Sequence, residues 1–163
     1  MANTLEILEI EAIMTKLAPR GKVNLRLWSG ETPLRERAKD IGLTPKYVHD
    51  KGSPVKLASG KIRASKAALH YLSFEDSDVN RPDEANLRIR EILDALRGTE
   101  LARLIASGAV EAEIDLAAFH GDVDWEAQFD PGLVTAARTA NIRIIVEHYD
   151  KFTDEGAPLA VRL

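Results

Sequence analysis

Residues 23–52 read VNLRLWSGETPLRERAKDIGLTPKYVHDKG, and this stretch decides how the rest of the chain is parsed. Val23, Leu25 and Leu27 alternate with Asn24, Arg26 and Trp28, the period of two that marks a strand with one buried face. Ser29, Gly30 and Glu31 break the alternation. Thr32 then stands where an N-cap would accept a free amide, with Pro33 at the first helical position, where a missing N–H costs nothing. Leu34, Ala38 and Ile41 make a short apolar stripe, Gly42 supplies a left-handed helix end, and Leu43, Thr44 and Pro45 leave the helix as a turn.

Working outward, residues 3–17 place Ile7, Ile10, Met14 and Leu17 on one helical face, and Asn3 with Glu6 has capping-box spacing. The competing reading takes Leu5 to Ile7 as the start of a strand, since Leu8 and Ile13 blur the stripe. Pro19, Arg20 and Gly21 end the segment, so residues 1–21 form an appendage to the domain that follows. Residues 54–75 read as a basic ribbon turning at Ser59 and Gly60, followed by an apolar strand around Leu69, Tyr71 and Leu72. Pro82, Asp83 and Glu84 open a helix with acids in its first turn, and Ala85, Ile89, Ile92, Leu93 and Leu96 form its buried stripe. Thr99 caps a further short helix that ends at Gly108.

Val110, Ala112, Ile114 and Leu116 alternate with Glu111, Glu113 and Asp115, which predicts a strand whose second face is acidic. Asp130 and Pro131 start a helix carried by Leu133, Val134 and Ala137. A last strand alternates Ile142, Ile144 and Val146 with Arg143, Ile145 and Glu147, and residues 151–163 form a tail. Helices that all need the same sheet face predict an α+β fold: a two-layer sandwich, mainly antiparallel, with helices on one face in a ferredoxin-like arrangement.

The runs Leu25 to Glu31, Ile41 to Pro45 and Lys51 with Gly52 resemble the start of the bacterial family designated domain of unknown function 4279. Residues 69–76, 83–97, 108–116 and 142–150 fill the later places of that pattern in order, so the likeness spans roughly residues 22–150. One departure is that Leu69 and Tyr71 stand where the middle strand of the family carries a tryptophan. The resemblance implies an immunity-type protein that neutralises a partner toxin, and it transfers no catalytic residue.

Composition narrows the function classes. With 163 residues, 45% of them hydrophobic, the chain has enough apolar material for one domain with a real core. It has no cysteine, which removes disulfides and thiolate chemistry, and its N-terminus lacks a basic region ahead of an apolar run, so the expectation is cytoplasmic. No apolar run reaches the length of a membrane span, and a net charge of −4 without a basic cluster argues against nucleic acid.

Signatures of catalysis are missing: no phosphate-cradling glycine loop, dinucleotide fingerprint or metalloprotease helix occurs. His120, Asp122 and Asp124 form the only cluster with metal-ligand character, and the alternative function, a small metal-dependent enzyme or regulator, rests on them. No second ligand group at a diagnostic spacing accompanies them, so neither a metal nor another cofactor is expected. Glu111, Glu113 and Asp115 are read as well solvated, with little reason for a raised pKa. Strand parity instead points Arg26, Trp28, Glu111, Glu113, Asp115, Arg143, Glu147 and Tyr149 to one outer sheet face, a platform for a partner protein or a second copy of the chain.

Overall fold

The computed structural model describes residues 19–57, 59–119, 124–152 and 158–161. The decisive strand is present as β1 (Gly21–Ser29), and its residues alternate between buried and half-buried along the whole length. It lies at the centre of a sheet ordered β2 (Pro45–His49), β5 (His70–Phe74), β1, β7 (Glu111–Ala118), β8 (Ile142–Phe152) and β9 (Pro158–Val161). β6 (Ser77–Val79) pairs with the first residues of β1, while β5 pairs with the last ones. β3 (Pro54–Lys56) and β4 (Ile62–Lys66) form a separate two-stranded ribbon.

β1 runs antiparallel to both β5 and β7, so those two strands share a direction and β1 sits between them. The chain crosses from β5 and β6 to β7 through α1 (Pro82–Leu96) and α2 (Glu100–Ala106). A second crossover through α3 (Pro131–Thr139) makes β8 parallel to β7. The result is an α+β fold of two layers, a mixed sheet with the described helices on one face. Val23, Leu25 and Leu27 of β1, Ile114 and Leu116 of β7, and Ile89, Ile92 and Leu96 of α1 meet in one buried cluster, with Leu101, Ile105, Leu133 and Ala137 from the other two helices. Trp125, fully buried ahead of a 3₁₀ turn at Glu126–Gln128, completes it.

The helix ends follow the local signals. Pro82 starts α1, and Arg97 is followed by Gly98 in the left-handed region at φ 75°, which lets the chain reverse at once into α2. Thr99 Oγ1 accepts the Ala102 amide at 3.1 Å, and Asp130 Oδ1 accepts the Gly132 amide at 2.9 Å. Thr99→Ala should therefore lower unfolding free energy by about 1 kcal/mol, the usual worth of an N-cap hydroxyl, readable as a shifted urea midpoint with an unchanged m-value. Asn141 ends α3 in the left-handed region at φ 59° and donates its Nδ2 to the Ile105 carbonyl at 2.9 Å, tying the third helix to the second.

Four expectations are corrected. Thr32 and Pro33 do not start a helix: Ser29 Oγ accepts the amides of Glu31 and Thr32, and the helical segment is a 3₁₀ turn at Glu36–Ile41 with no side-chain cap. A serine hydroxyl at the strand end captures those amides first, while Leu34, Ala38 and Ile41 still reach the core. Pro45 is not the end of a turn but the first residue of the edge strand β2, a place where a missing N–H is tolerated. Ile144 and Val146 are only partly buried, unlike Ile142 at 5% exposure, because β9 pairs with β8 only from His148 on and leaves the outer edge of the strand before it without a described neighbour. The last is that Glu113 and Asp115 are not solvated, as described below. Residues 3–17 and 120–123 lie outside the described residues, whereas Pro158–Val161 of the tail joins the sheet beside β8.

Candidate functional site

The helices occupy one side of the sheet, and β-strand alternation sends every second residue to the other. Register fixes which side chains meet there. Arg26 lies opposite Glu113 on one side and Ser73 on the other; Trp28 lies opposite Glu111 and Tyr71; Glu113 lies opposite Arg143, and Ala117 opposite Glu147. Two positions beyond Glu147, Tyr149 follows on the same face, donating its hydroxyl to Glu147 Oε2 at 2.7 Å.

The aromatic members form a row across three strands. Trp28 and Tyr71 have ring centroids 5.7 Å apart, and Tyr71 stacks on His49 of β2 at 6.0 Å. Tyr149 packs against Phe119 at 5.8 Å on the opposite side of the face. Between these aromatic rims runs a charge network: Arg26 Nη2 reaches Asp115 Oδ2 at 2.7 Å and Nη1 reaches Glu113 Oε1 at 3.8 Å, while Arg143 lies 3.5 Å from Glu113 and 3.6 Å from Glu111.

Two of those carboxylates are buried, Asp115 at 2% exposure and Glu113 at 8%, because long side chains from β1 and β8 close over them. Burial pushes the Asp115 carboxyl up to about 6, against the pull of Arg26 and helped by Glu147, Glu113 and Asp76. Burial likewise raises Glu113, opposed by Arg143 and Arg26. At Tyr149, burial and the bond to Glu147 push the phenol up to about 12. Asp76 goes the other way: burial alone would raise it, but hydrogen bonds from Lys46 and Asn24 hold it below the usual carboxylate range.

A cleft of about 270 Å³ opens between the two aromatic rims. Asn24, Arg26, Ser73, Asp76 and Asp115 line it, and Tyr71, Phe119 and Tyr149 contribute to its sides. Asn24 Nδ2 donates to Asp76 Oδ1 at 2.7 Å, and Lys46 reaches the other oxygen of the same carboxylate. Asn24 Oδ1, Ser73 Oγ and Asp115 Oδ1 are buried and have no hydrogen-bond partner among the described residues.

Of the residues read from the sequence, Arg26, Trp28, Glu111, Glu113, Arg143, Glu147 and Tyr149 share this face. Sequence reasoning did not single out Asn24, Ser73, Asp76 or Lys46. Parity carried part of the signal, since Asn24 is two residues before Arg26 and Ser73 two after Tyr71. Of the alternative metal cluster, only Asp124 is described, and its Oδ1 accepts the Ala127 amide at 3.1 Å as a cap for the following turn. Among the described residues no group of histidines and acids has the geometry to hold a metal ion, and no helix is long and apolar enough to cross a membrane. His148 faces away from Glu147 and pairs with Glu126 at 2.6 Å. No family model, curated protein or solved structure matches the chain.

Proposed function

We propose that the chain is a non-enzymatic, cytoplasmic binding protein that holds a partner protein on the outer face of its sheet; in line with its resemblance, the partner is a toxin that it neutralises as an immunity-type protein. The observation that supports this reading is the composition of the face: Trp28, Tyr71, Tyr149, Arg26 and Arg143 stand among four acids on the side of the sheet away from the described helices. Tryptophan, tyrosine and arginine concentrate binding energy in interfaces, because they bury much area for little entropy. Acids between them favour a partner with a basic patch and speed its encounter.

The test is co-expression of the chain with the products of the adjoining reading frames, followed by size-exclusion chromatography. One neighbour should co-elute as a stoichiometric complex. Arg143→Ala, whose side chain is largely exposed, should weaken that complex at least about tenfold, as loss of an interface anchor does, and shift stability by no more than about 0.5 kcal/mol. Complexes that survive both Arg143→Ala and Trp28→Ala would place the interface elsewhere. Elution of the chain alone as a dimer that either variant dissociates would make the partner a second copy.

A further inference from the structure

We infer that the cleft on the outer sheet face is a receptor site for one organic cation, an alkylammonium or guanidinium head, seated on Asp115 Oδ1, Asn24 Oδ1 and Ser73 Oγ. This rests on the outer face being the working surface, but not on the identity of any protein partner.

The three atoms come from adjacent strands, with Asn24 directly opposite Asp115 and Ser73 opposite Arg26. Asp115 and Ser73 are 2% and 3% exposed, yet the three oxygens have no donor among the described residues. A carboxylate and an amide oxygen only accept, and the serine hydroxyl accepts as well, so the cleft floor calls for a ligand that donates several hydrogen bonds. Leaving such acceptors unpaired is costly enough that native folds keep few of them, and here three of the five buried unpaired side-chain atoms among the described residues belong to residues that line one cleft.

Charge selects the donor. Asp76 and Asp115 line the site with Glu113 and Glu147 near Asp115, against Lys22, Arg26 and Lys46 of the lining and Arg143, which lies 3.5 Å from Glu113. Each of those cations already has a carboxylate: Arg26 the other oxygen of Asp115, Lys46 that of Asp76, and Lys22 that of Asp78 at 4.0 Å. An anion would meet Asp115 directly, whereas a cation adds a second charge-assisted partner to a carboxylate that has only one. The walls agree with this, since Tyr71, Phe119 and Tyr149 offer ring surfaces to an ammonium or guanidinium. A volume of about 270 Å³ admits such a head with a short stem and little more.

The chemistry has two sources, a free amine or guanidine and a lysine or arginine side chain of a protein partner. Amide NMR spectra of the full chain, titrated with n-butylammonium and n-butylguanidinium chloride and separately with capped peptides carrying one lysine or arginine, tell them apart. At least one cation should shift the amides around Asn24, Ser73 and Asp115 saturably, while sodium acetate leaves them in place. Tighter binding of the free amine assigns the site to a small molecule, and tighter binding of the peptide assigns it to a side chain.

Asp115→Asn should weaken the cation about tenfold or more, the usual loss when a charged acceptor goes, and Ser73→Ala should weaken it several-fold. Ser73→Ala carries the test should the first variant fold poorly. Lys39→Ala, an exposed change on the 3₁₀ turn at Glu36–Ile41, should leave it unchanged. Absence of saturable shifts for every cation, or binding indifferent to both floor variants, would overturn the site and leave a solvated cleft. That failure beside a protein complex lost on Arg143→Ala would spare the platform reading, and the converse pair of results would spare the cation site alone.

Discussion

Ile92→Ala should lower the free energy of unfolding by about 2–5 kcal/mol, while Ile144→Ala should cost less than about half of that. Both residues are large aliphatics on core-facing positions, and sequence periodicity gives them equal weight. Their environments differ. Ile92 projects from the middle of α1 into the fully buried cluster shared with Val23, Leu25, Leu27 and Ile114, so truncation leaves a cavity that neighbours on all sides cannot collapse into. Ile144 lies on the stretch of β8 before its pairing with β9, beside a recess that it shares with Val134 and Ala137 of α3, and is only partly buried, so truncation widens a recess open to water rather than enclosing a void. Urea denaturation with a common m-value would read the two costs directly. Equal losses for the two variants would mean that β8 is as deeply covered as β1.

What the sequence makes legible is whatever depends on one element at a time. The alternation of Val23, Leu25 and Leu27, the 3.6-residue stripe of Ala85, Ile89, Ile92 and Leu96, and the caps at Thr99 and Asp130 are local patterns, and each survives in the structure. Edges are harder to read. Pro45, Lys46 and Tyr47 of β2 are all exposed, so no alternation of apolar and polar residues announces a strand, and β6 is too short at three residues to show a period. The outer face falls between these cases. Parity placed Arg26, Glu113 and Arg143 on one side, but whether an acid there is wetted depends on the register between strands far apart in sequence.

Asp115 shows the consequence. Its neighbours in the chain, Ile114 and Leu116, say only that it points away from the core. The neighbours that bury it are Arg26, which precedes it by 89 residues, and the β8 side chains beyond, and these come together only when β1, β7 and β8 align. The cleft was missed for the same reason, since Asn24, Ser73 and Asp115 belong to three strands and carry no joint spacing.

Arg26→Met should destabilise the protein by about 3–5 kcal/mol at pH 8, the range found when one partner of a buried ion pair is removed, and by far less at pH 5. Methionine keeps most of the apolar stem, so what disappears is the guanidinium that bonds Asp115 at 2.7 Å. At pH 8 the variant must hold an ionised carboxylate at 2% exposure with no cation bonded to it, while Glu113 keeps Arg143 at 3.5 Å.

The pH dependence has a definite sign. In the wild type the folded-state pKa of Asp115 is about 6, above the ordinary value near 3.8, so between those limits the native state binds the proton that the unfolded state has lost. The stability it contributes is therefore full below pH 4 and is lost as pH rises through about 6. Removing Arg26 raises that pKa further, because the guanidinium that pulls it down has gone, so the variant loses stability over a wider rise in pH. Near pH 5 the Asp115 carboxyl is mostly protonated in both proteins and the charge of Arg26 has little left to offset, and Glu113, which burial also raises and Arg26 also lowers, shifts in the same sense. Asp76, whose pKa is lowered, loses its contribution only at more acid pH, and a comparison of urea midpoints at pH 5 and pH 8 stays clear of it. An equal deficit at the two pH values would show that Arg26 acts through the packing of its stem, and the buried carboxylate at the centre of the outer face would then have to be stabilised by something other than its arginine.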